Sequence, residues 1–300
     1  MDAMDCLLVK AAGEIGIKSL KVRKHFMAKL VDNLKVGFQQ AGLPVPVVRR
    51  LGLVLELPGI NVQQAVPVLQ RVFGLHAIIQ AQPHDTAGLD ALCAQALPFA
   101  LKKVKAGTKF AVSAHRVGHH AFSSKDIENK LGRMILDAQP KAKVNLDNPE
   151  AVVGVEVRDR TYYLCVEEWR GPGGYPVGVE GDVGMFFEGK PEEALAAWLM
   201  LKRGCRVHPI LTGNEKKVQA LLDQLAPWNC GHAFKPSKPE DLPQLIAEKK
   251  LSALVKADTE LDAQALQAFN ERQPLPVLRP LLLYPEAFAK AHRKLLEATA

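Results

Sequence analysis

Between Trp169 and Gly178 the chain reads WRGPGGYPVG, four glycines and two prolines in ten residues. Glycine gives up too much backbone freedom and proline lacks the N–H, so the stretch is neither helix nor central strand. It is a linker, or a loop that lies closely on something, and it divides the 300 residues into two unlike parts. Ahead of it, apolar runs are joined by tight turns as well as by helices. Behind it, strand and helix patterns alternate, which implies a parallel α/β sheet with ligand space at the strand C-termini. A chain of this length holds two or three small domains rather than one.

Composition narrows the class. Hydrophobic residues make up 48% and charged residues 24%, the balance of an ordinary globular protein. No apolar run approaches the roughly 18–20 residues of a membrane span. The start, MDAMDCLLVK, has no basic stretch before its apolar run and does not read as a secretory signal. Five cysteines, an odd number with no Cys-x-x-Cys pair, argue against a disulfide framework and a Cys-rich metal site. The expectation is a cytoplasmic protein with buried or incidental thiols, no bound metal and no membrane partner. Net charge is +7, and it is uneven. Residues 1–180 hold 23 Lys and Arg against 17 Asp and Glu, while residues 181–300 hold 16 against 15. A basic front portion points to a polyanion gripped there.

The front begins with an apolar strand, Cys6 to Lys10, and a loop at Gly13-Glu14-Ile15. Ser19 caps a helix from Leu20 to Ala41, with Leu20, Phe26, Leu30, Leu34 and Phe38 near one face and Gly42 as its stop. Lys18, Lys21, Arg23, Lys24 and Lys29 line the polar side of its first half. Strands at Val45–Arg50 and Leu51–Leu57, a helix at Val62–Val72 and a strand at Ala77–Gln82 complete the order β-α-β-β-α-β, that of a ferredoxin-like domain. A helix from Asp90 to Val104 follows. Then FAVSAHRVGHHAFSSKD, Phe110 to Asp126, starts as a strand and breaks into a basic turn at His115, Arg116, Gly118, His119 and His120. Ser123, Ser124 and Asp126 are helix-start residues. Cations and free backbone N–H groups aimed at one spot make an anion site. The same pattern also serves as an ordinary solvated loop before a capped helix. The helix runs from Lys125 to Ala138 and a strand from Lys143 into a turn at Asn148-Pro149. A hairpin pairs Ala151–Val157 with Thr161–Glu167.

In the rear portion, strands are expected at Asp182–Phe187, Arg206–Leu211, 232–235, Leu251–Lys256 and Val277–Leu283. Helices are expected at Pro191–Arg203, Glu215–Leu225, Pro239–Lys249, Leu261–Glu271 and 285–298.

FAVSAHRVGHHAFSSKDIENKLG, VNLDNPEAVVGVEVRDRTYYL and GPGGYPVG, in this order, resemble a THUMP domain. With VKAAGEIGIKSLKVRKHFMAKLVDNL ahead of them, the chain is similar to the ThiI family of tRNA 4-thiouridine synthetases. The resemblance runs over essentially the whole chain. It implies three domains: ferredoxin-like (1–83), THUMP (84–178) and a parallel-sheet, Rossmann-like domain (179–300) of the PP-loop ATP pyrophosphatase type. It also implies that the first two hold the acceptor-stem region of a tRNA, and that a homodimer is open to the chain. Spaced cations suit RNA, whose duplex is read by shape and phosphate. The candidates are Lys18, Lys21, Arg23 and Lys24, then His115, Arg116, His119, His120 and Lys125, with Ser123 and Ser124 as neutral phosphate donors. The histidines contribute charge only where a phosphate raises their pKa.

One motif departs from the family. Where ThiI proteins carry Ser-Gly-Gly-x-Asp-Ser to cradle the pyrophosphate of ATP, this chain has Glu188-Gly189-Lys190-Pro191-Glu192-Glu193. Three carboxylates then surround a helix start that should receive phosphates. Two like charges at ~4 Å repel by roughly 4 kcal/mol at an effective dielectric near 20. Pro191 and the acids suit an ordinary capped helix start. VKADTELDAQALQAFN lacks the family's Gly-Glu…Gly-Gln-Val core, with only Gln264, Gln267 and Asn270 in its place, whereas Pro276 to Leu281 looks like the family's strand. By the same resemblance the sequence stops before the family's sulfur-transferring cysteine, and no rhodanese-like domain is expected. Cys205 and Cys230 do not stand in that cysteine's place. The expected function is tRNA binding without catalytic residues or cofactor, in tRNA modification with a partner enzyme or sulfur carrier. The alternatives are an active tRNA sulfurtransferase using ATP and Mg²⁺, and a relative in fold alone with no RNA role.

Overall fold

The structure is a computed structural model and describes residues 5–85, 88–230 and 233–297. In chain order the front holds β1 (Cys6–Ala11), α1 (Gly13–Gly16), α2 (Leu20–Gln40), β2 (Arg49–Leu51), β3 (Val54–Pro58), α3 (Val62–Leu69) and β4 (Leu75–Asp85). The middle holds α4 (Leu89–Lys103), β5 (Lys109–Val117), α5 (Ser124–Ala138), β6 (Lys143–Val144), β7 (Ala151–Arg158) and β8 (Thr161–Arg170). The rear holds β9 (Asp182–Phe187), α6 (Glu192–Arg203), β10 (Arg206–Leu211), α7 (Glu215–Leu225), α8 (Leu242–Lys249), β11 (Ala253–Val255), α9 (Ala263–Asn270), β12 (Val277–Leu278) and α10 (Glu286–Glu297).

These elements pack into two compact units. One comprises Met1–Val9, Val47–Val62 and Ile78–Trp169; the other comprises Lys10–Pro46, Gln63–Ala77 and Arg170–Ala300. The division by packing cuts through the ferredoxin-like order: its strands fall largely in the first unit and helices α2 and α3 in the second.

The first unit is built on an eight-stranded sheet, β2-β3-β1-β4-β8-β7-β5-β6. Its first four strands carry the ferredoxin-like arrangement, and the last four continue it. β7 pairs antiparallel with β8 as the expected hairpin, turning at Asp159 with φ 48°. β5 runs parallel to both β7 and β6. The apolar faces of α4 and α5 close a core with Phe110, Val112, Val153, Val155, Tyr162 and Leu164. α5 starts at a reciprocal cap: Ser123 accepts from the Asp126 N–H, and the Asp126 carboxylate accepts from the Ser123 N–H.

The second unit holds a four-stranded parallel sheet, β10-β9-β11-β12. Helix α6 is buried along most of its length and ends at Gly204, φ 98°, as a left-handed stop. Around it Phe73, Trp198 and Trp228 meet ring to ring at 5.3–5.5 Å. α2 belongs to the same unit. Phe26 meets Tyr175 edge-on at 5.3 Å, and Asn33, itself buried, donates to the Val177 carbonyl at 3.1 Å. The glycine-rich stretch is thus a loop laid closely on its surroundings. Gly173 N–H donates to Leu75 O, Tyr175 N–H to Lys202 O, and a Cβ on Gly171 would sit 2.3 Å from Leu75 O.

Several expectations are corrected. Gly13-Glu14-Ile15 forms a helical turn, because Ile15 is buried and its N–H closes onto Ala12 O. Leu20 points to solvent, since α2 first meets its apolar surroundings at Phe26. The strand expected from residue 45 starts at Arg49, and Gly52 at φ 73° turns the chain into β3. Trp169 and Arg170 end β8 instead of opening the loop. His232 lies outside the described residues, and residues 233–235 form no strand; a parallel bridge joins Ser237 to Ile210 just beyond them. β12 stops at Leu278, with turns before α10. A 3-10 turn at Pro239–Asp241 precedes α8, and Asp262 caps α9 one residue into the expected helix. All five cysteines are free thiols, and burial pushes Cys6 and Cys230 up to about 12.

α10 docks through His292, whose ring lies 4.8 Å from Trp198 and whose Nδ1 meets the Tyr284 hydroxyl at 3.1 Å. Burial, then the nearby Lys202 charge, lowers its pKa from the usual 6.5. An unfolded chain takes up this proton near pH 6.5, and the folded chain only at lower pH, so stability falls as pH drops below that value. Chemical denaturation at pH 7.5 and pH 5.5 should therefore show a loss at the lower pH that His292→Gln diminishes. An equal loss in the variant would remove His292 as its source.

Candidate nucleic-acid surfaces and the switch-point cleft

Because β10 lies on one side of β9 and β11 on the other, the winding reverses between β9 and β11, where open α/β sheets hold ligands. A cleft of about 320 Å³ opens there, lined by Phe186, Glu188, Lys190, Glu192, Asp258 and Asp262, among others. The turn from β9 to α6 forms its wall. Gly213 lets this turn approach closely, since a Cβ there would lie 2.1 Å from Glu188 O. Gly189 takes φ 93°.

Glu193 decides what the turn can bind. Its carboxylate folds back and accepts from the N–H groups of Glu188, Gly189 and Lys190 at 2.8, 2.9 and 3.1 Å. The residue is only 3% exposed. Burial raises its pKa, with the three amides pulling the other way. A turn of converging amides at a helix start is an anion cradle, and here the chain's own carboxylate fills it. Lys190 is committed to Glu188 at 2.5 Å. The three-carboxylate clash drawn from sequence is thus resolved by burying one carboxylate under amides and pairing another with a lysine.

Across the cleft is a set that the sequence reading did not single out. Asp258 holds Lys256 at 3.3 Å and the buried Arg279 at 2.7 Å, and Lys256 stands 4.7 Å over the Phe269 ring. The alternation Lys256-Ala257-Asp258 at a strand end was the available signal. Arg279, twenty-one residues on, reaches Asp258 because β12 pairs with β11. The cleft is therefore present, but the amides of its turn are taken by Glu193 and offer no free phosphate cradle.

In the first unit, His115 and Arg116 lie within β5 and not in a turn, because the strand pairs with β7 as far as Val117↔Arg158. Arg116 Nη1 donates to Gly118 O at 2.8 Å and to His120 Nδ1 at 3.2 Å, and His120 Nε2 meets Asp159 O at 2.6 Å. A guanidinium N–H can only donate, so Nδ1 is the accepting nitrogen and Nε2 faces the Asp159 carbonyl as donor. Gly118, at φ 103°, makes the corner; a Cβ there would meet the Asp159 carboxylate at 2.6 Å. Arg116 and His120 thus brace the loop. Ser123 is engaged with Asp126, whose pKa its N–H and hydroxyl lower. His115, His119 and Lys125 face solvent, Lys125 with Glu128 at 3.4 Å, and Ser124 is half-buried. In the second unit, Lys21 and Lys24 are exposed. Lys18 lies over the Tyr175 ring at 5.0 Å, and Arg23 donates to Gly16 O at 3.4 Å. Each unit thus carries one of the two basic sets.

Residues 6–78 match the ThiI ferredoxin-like domain, and residues 86–167 match the THUMP domain. The chain thus carries a ThiI-type ferredoxin-like domain followed by a THUMP domain. It is 31% identical over 221 residues to a tRNA sulfurtransferase of Desulfurococcus amylolyticus, covering 72% of this chain and 45% of that one. Against a probable tRNA sulfurtransferase of Sulfurisphaera tokodaii it is 30% identical over 234 residues, covering 76% of this chain and 61% of that one. The chain thus spans 45% and 61% of the length of these two relatives. Among solved structures, PH1313 from Pyrococcus horikoshii superposes with a TM-score of 0.83 at 27% identity, covering 98% of this chain and 100% of that one. A 4-thiouridine synthetase solved with RNA and bound ATP superposes with a TM-score of 0.77 at 20% identity, covering 98% of this chain and 85% of that one, which shows a shared fold. No described helix is long and apolar enough to cross a membrane.

Proposed function

We propose that this chain binds tRNA, at its acceptor-stem region, and serves tRNA modification without running ATP-dependent chemistry itself. A modifying enzyme or a sulfur carrier would then supply the reaction. The observation that carries the non-catalytic reading is the Glu193 carboxylate on the amides of residues 188–190. A pyrophosphate entering that turn must displace a buried, hydrogen-bonded anion of its own sign. tRNA binding is supported by the THUMP and ThiI-type domains and by exposed cations on each unit. The cleft between β9 and β11 favours a second reading, an active ATP-dependent tRNA 4-thiouridine synthetase whose relatives are named tRNA sulfurtransferases.

Titrating the protein with an unmodified tRNA transcript and, separately, with Mg-ATP separates the readings. The expected result is tRNA binding that weakens as salt rises, with no saturable ATP binding at millimolar concentration. Saturable ATP binding would restore the synthetase, and absence of tRNA binding would remove the RNA role. Within that assay Lys125→Ala should weaken binding several-fold and lower the salt slope by about one ion. Lys125 suits the test better than Arg116, whose removal also unbraces the loop. An unchanged slope would place the phosphate contacts elsewhere.

A further inference from the structure

The start of α2 exposes apolar side chains where an ordinary basic helix face would not. Ile17 is 85% exposed and Leu20 is 60% exposed. Ile15, two residues earlier, is fully buried and anchors the α1 turn, so the chain leaves that turn with Ile17 directed outward. Ser19 then fixes the helix start by accepting from the Val22 N–H. Leu20 and Lys24 stand four apart on α2 and share a face. Between Gly13 and Lys29 there are five cations, Lys18, Lys21, Arg23, Lys24 and Lys29, and one acid, Glu14.

An exposed apolar pair with cations close by in the chain suits a ligand that offers apolar surface between closely spaced negative charges. An RNA duplex does so: its minor groove is wide and shallow, with ribose faces lying between the two phosphate strands. We propose that Ile17 and Leu20 pack on ribose faces of the bound tRNA's minor groove, with Lys21 and Lys24 on the flanking phosphates. The inference rests on the tRNA-binding reading and assigns a salt-insensitive share of the affinity to two residues beside the lysines. Contacts to sugar and phosphate carry no sequence information, so this surface recognises a duplex and not a base order.

The test is a tRNA titration across a salt series with the full chain, Ile17→Ser/Leu20→Ser and Lys21→Ala/Lys24→Ala. Both apolar side chains are solvent-exposed, so an unchanged thermal transition checks that the first variant folds. It should bind about tenfold more weakly at every salt concentration, with the slope of log K against log salt unchanged. The lysine variant should lower that slope by about two ions. Undiminished affinity in the Ile17→Ser/Leu20→Ser protein overturns the proposal while leaving tRNA binding intact; no tRNA binding by the wild type overturns both. A parallel arm uses vesicles of phosphatidylcholine with phosphatidylserine. If wild type binds these and the apolar variant loses that binding but keeps tRNA, the surface is a membrane contact and the proposal falls.

Discussion

Glu193→Ala is expected to destabilise the protein by about 3 kcal/mol, because it leaves three amides without their acceptor at a net ~1 kcal/mol each. It should also create what the wild type lacks, a free anion cradle at the start of α6. The variant's melting temperature should rise with added sulfate or pyrophosphate, since an anion that binds only the folded state stabilises it by mass action. The wild type should respond far less to the same salts when sodium chloride of equal ionic strength is the reference. Glu193→Gln keeps one carbonyl acceptor and should fall between the two. If alanine costs under about 1 kcal/mol and shows no anion-dependent gain, the carboxylate does not hold this turn, and the argument against ATP binding loses its support.

Gly174→Ala should be more damaging than the same change one residue earlier. Both glycines have positive φ, 69° at Gly173 and 74° at Gly174. Nothing lies within 4 Å of where a Cβ on Gly173 would be, so alanine there meets only the left-handed backbone cost of roughly 1–2 kcal/mol. A Cβ on Gly174 would sit 2.3 Å from the Lys202 carbonyl oxygen. That oxygen already accepts from the Tyr175 N–H, so the backbone cannot withdraw without breaking the bond. A loss of about 3 kcal/mol or more is expected for Gly174→Ala. Urea unfolding of both variants measures the difference, and equal costs would mean that the loop moves aside freely.

How far the fold could be read from sequence depended on whether its cause was local. Ser19, Ser123 and Gly204 mark helix ends through bonds to neighbours within three or four residues, and they stand where the spacing predicts. The hairpin at Asp159 is local in the same sense. β5 is not: after Ala114 the apolar alternation gives way to His115 and Arg116, and the strand stays extended because β7 runs alongside, some forty residues later in the chain. Leu20 is apolar and in helical register, yet its exposure depends on what the rest of the fold brings beside it. The departure of the β9–α6 turn from the ThiI pattern was legible. That Glu193 would take the amides was not, because it depends on a close approach permitted by Gly213, twenty residues downstream. The bracing of Arg116 by His120 likewise required Asp159 from the β7–β8 turn.

The split of the ferredoxin-like order between two packing units bears on why the rear domain would persist without ATP chemistry. Phe26, Asn33 and Phe73 come from the front of the chain; the first two close on Tyr175 and Val177 of the glycine-rich loop, and Phe73 closes on Trp198 from the rear. Excision after residue 178 would take Trp198 and Trp228 away from Phe73, and the Asn229 carbonyl away from Gln40 at the end of α2. On the proposed reading, the rear domain would keep a scaffold role for the basic helix α2 even with its amide cradle taken by Glu193.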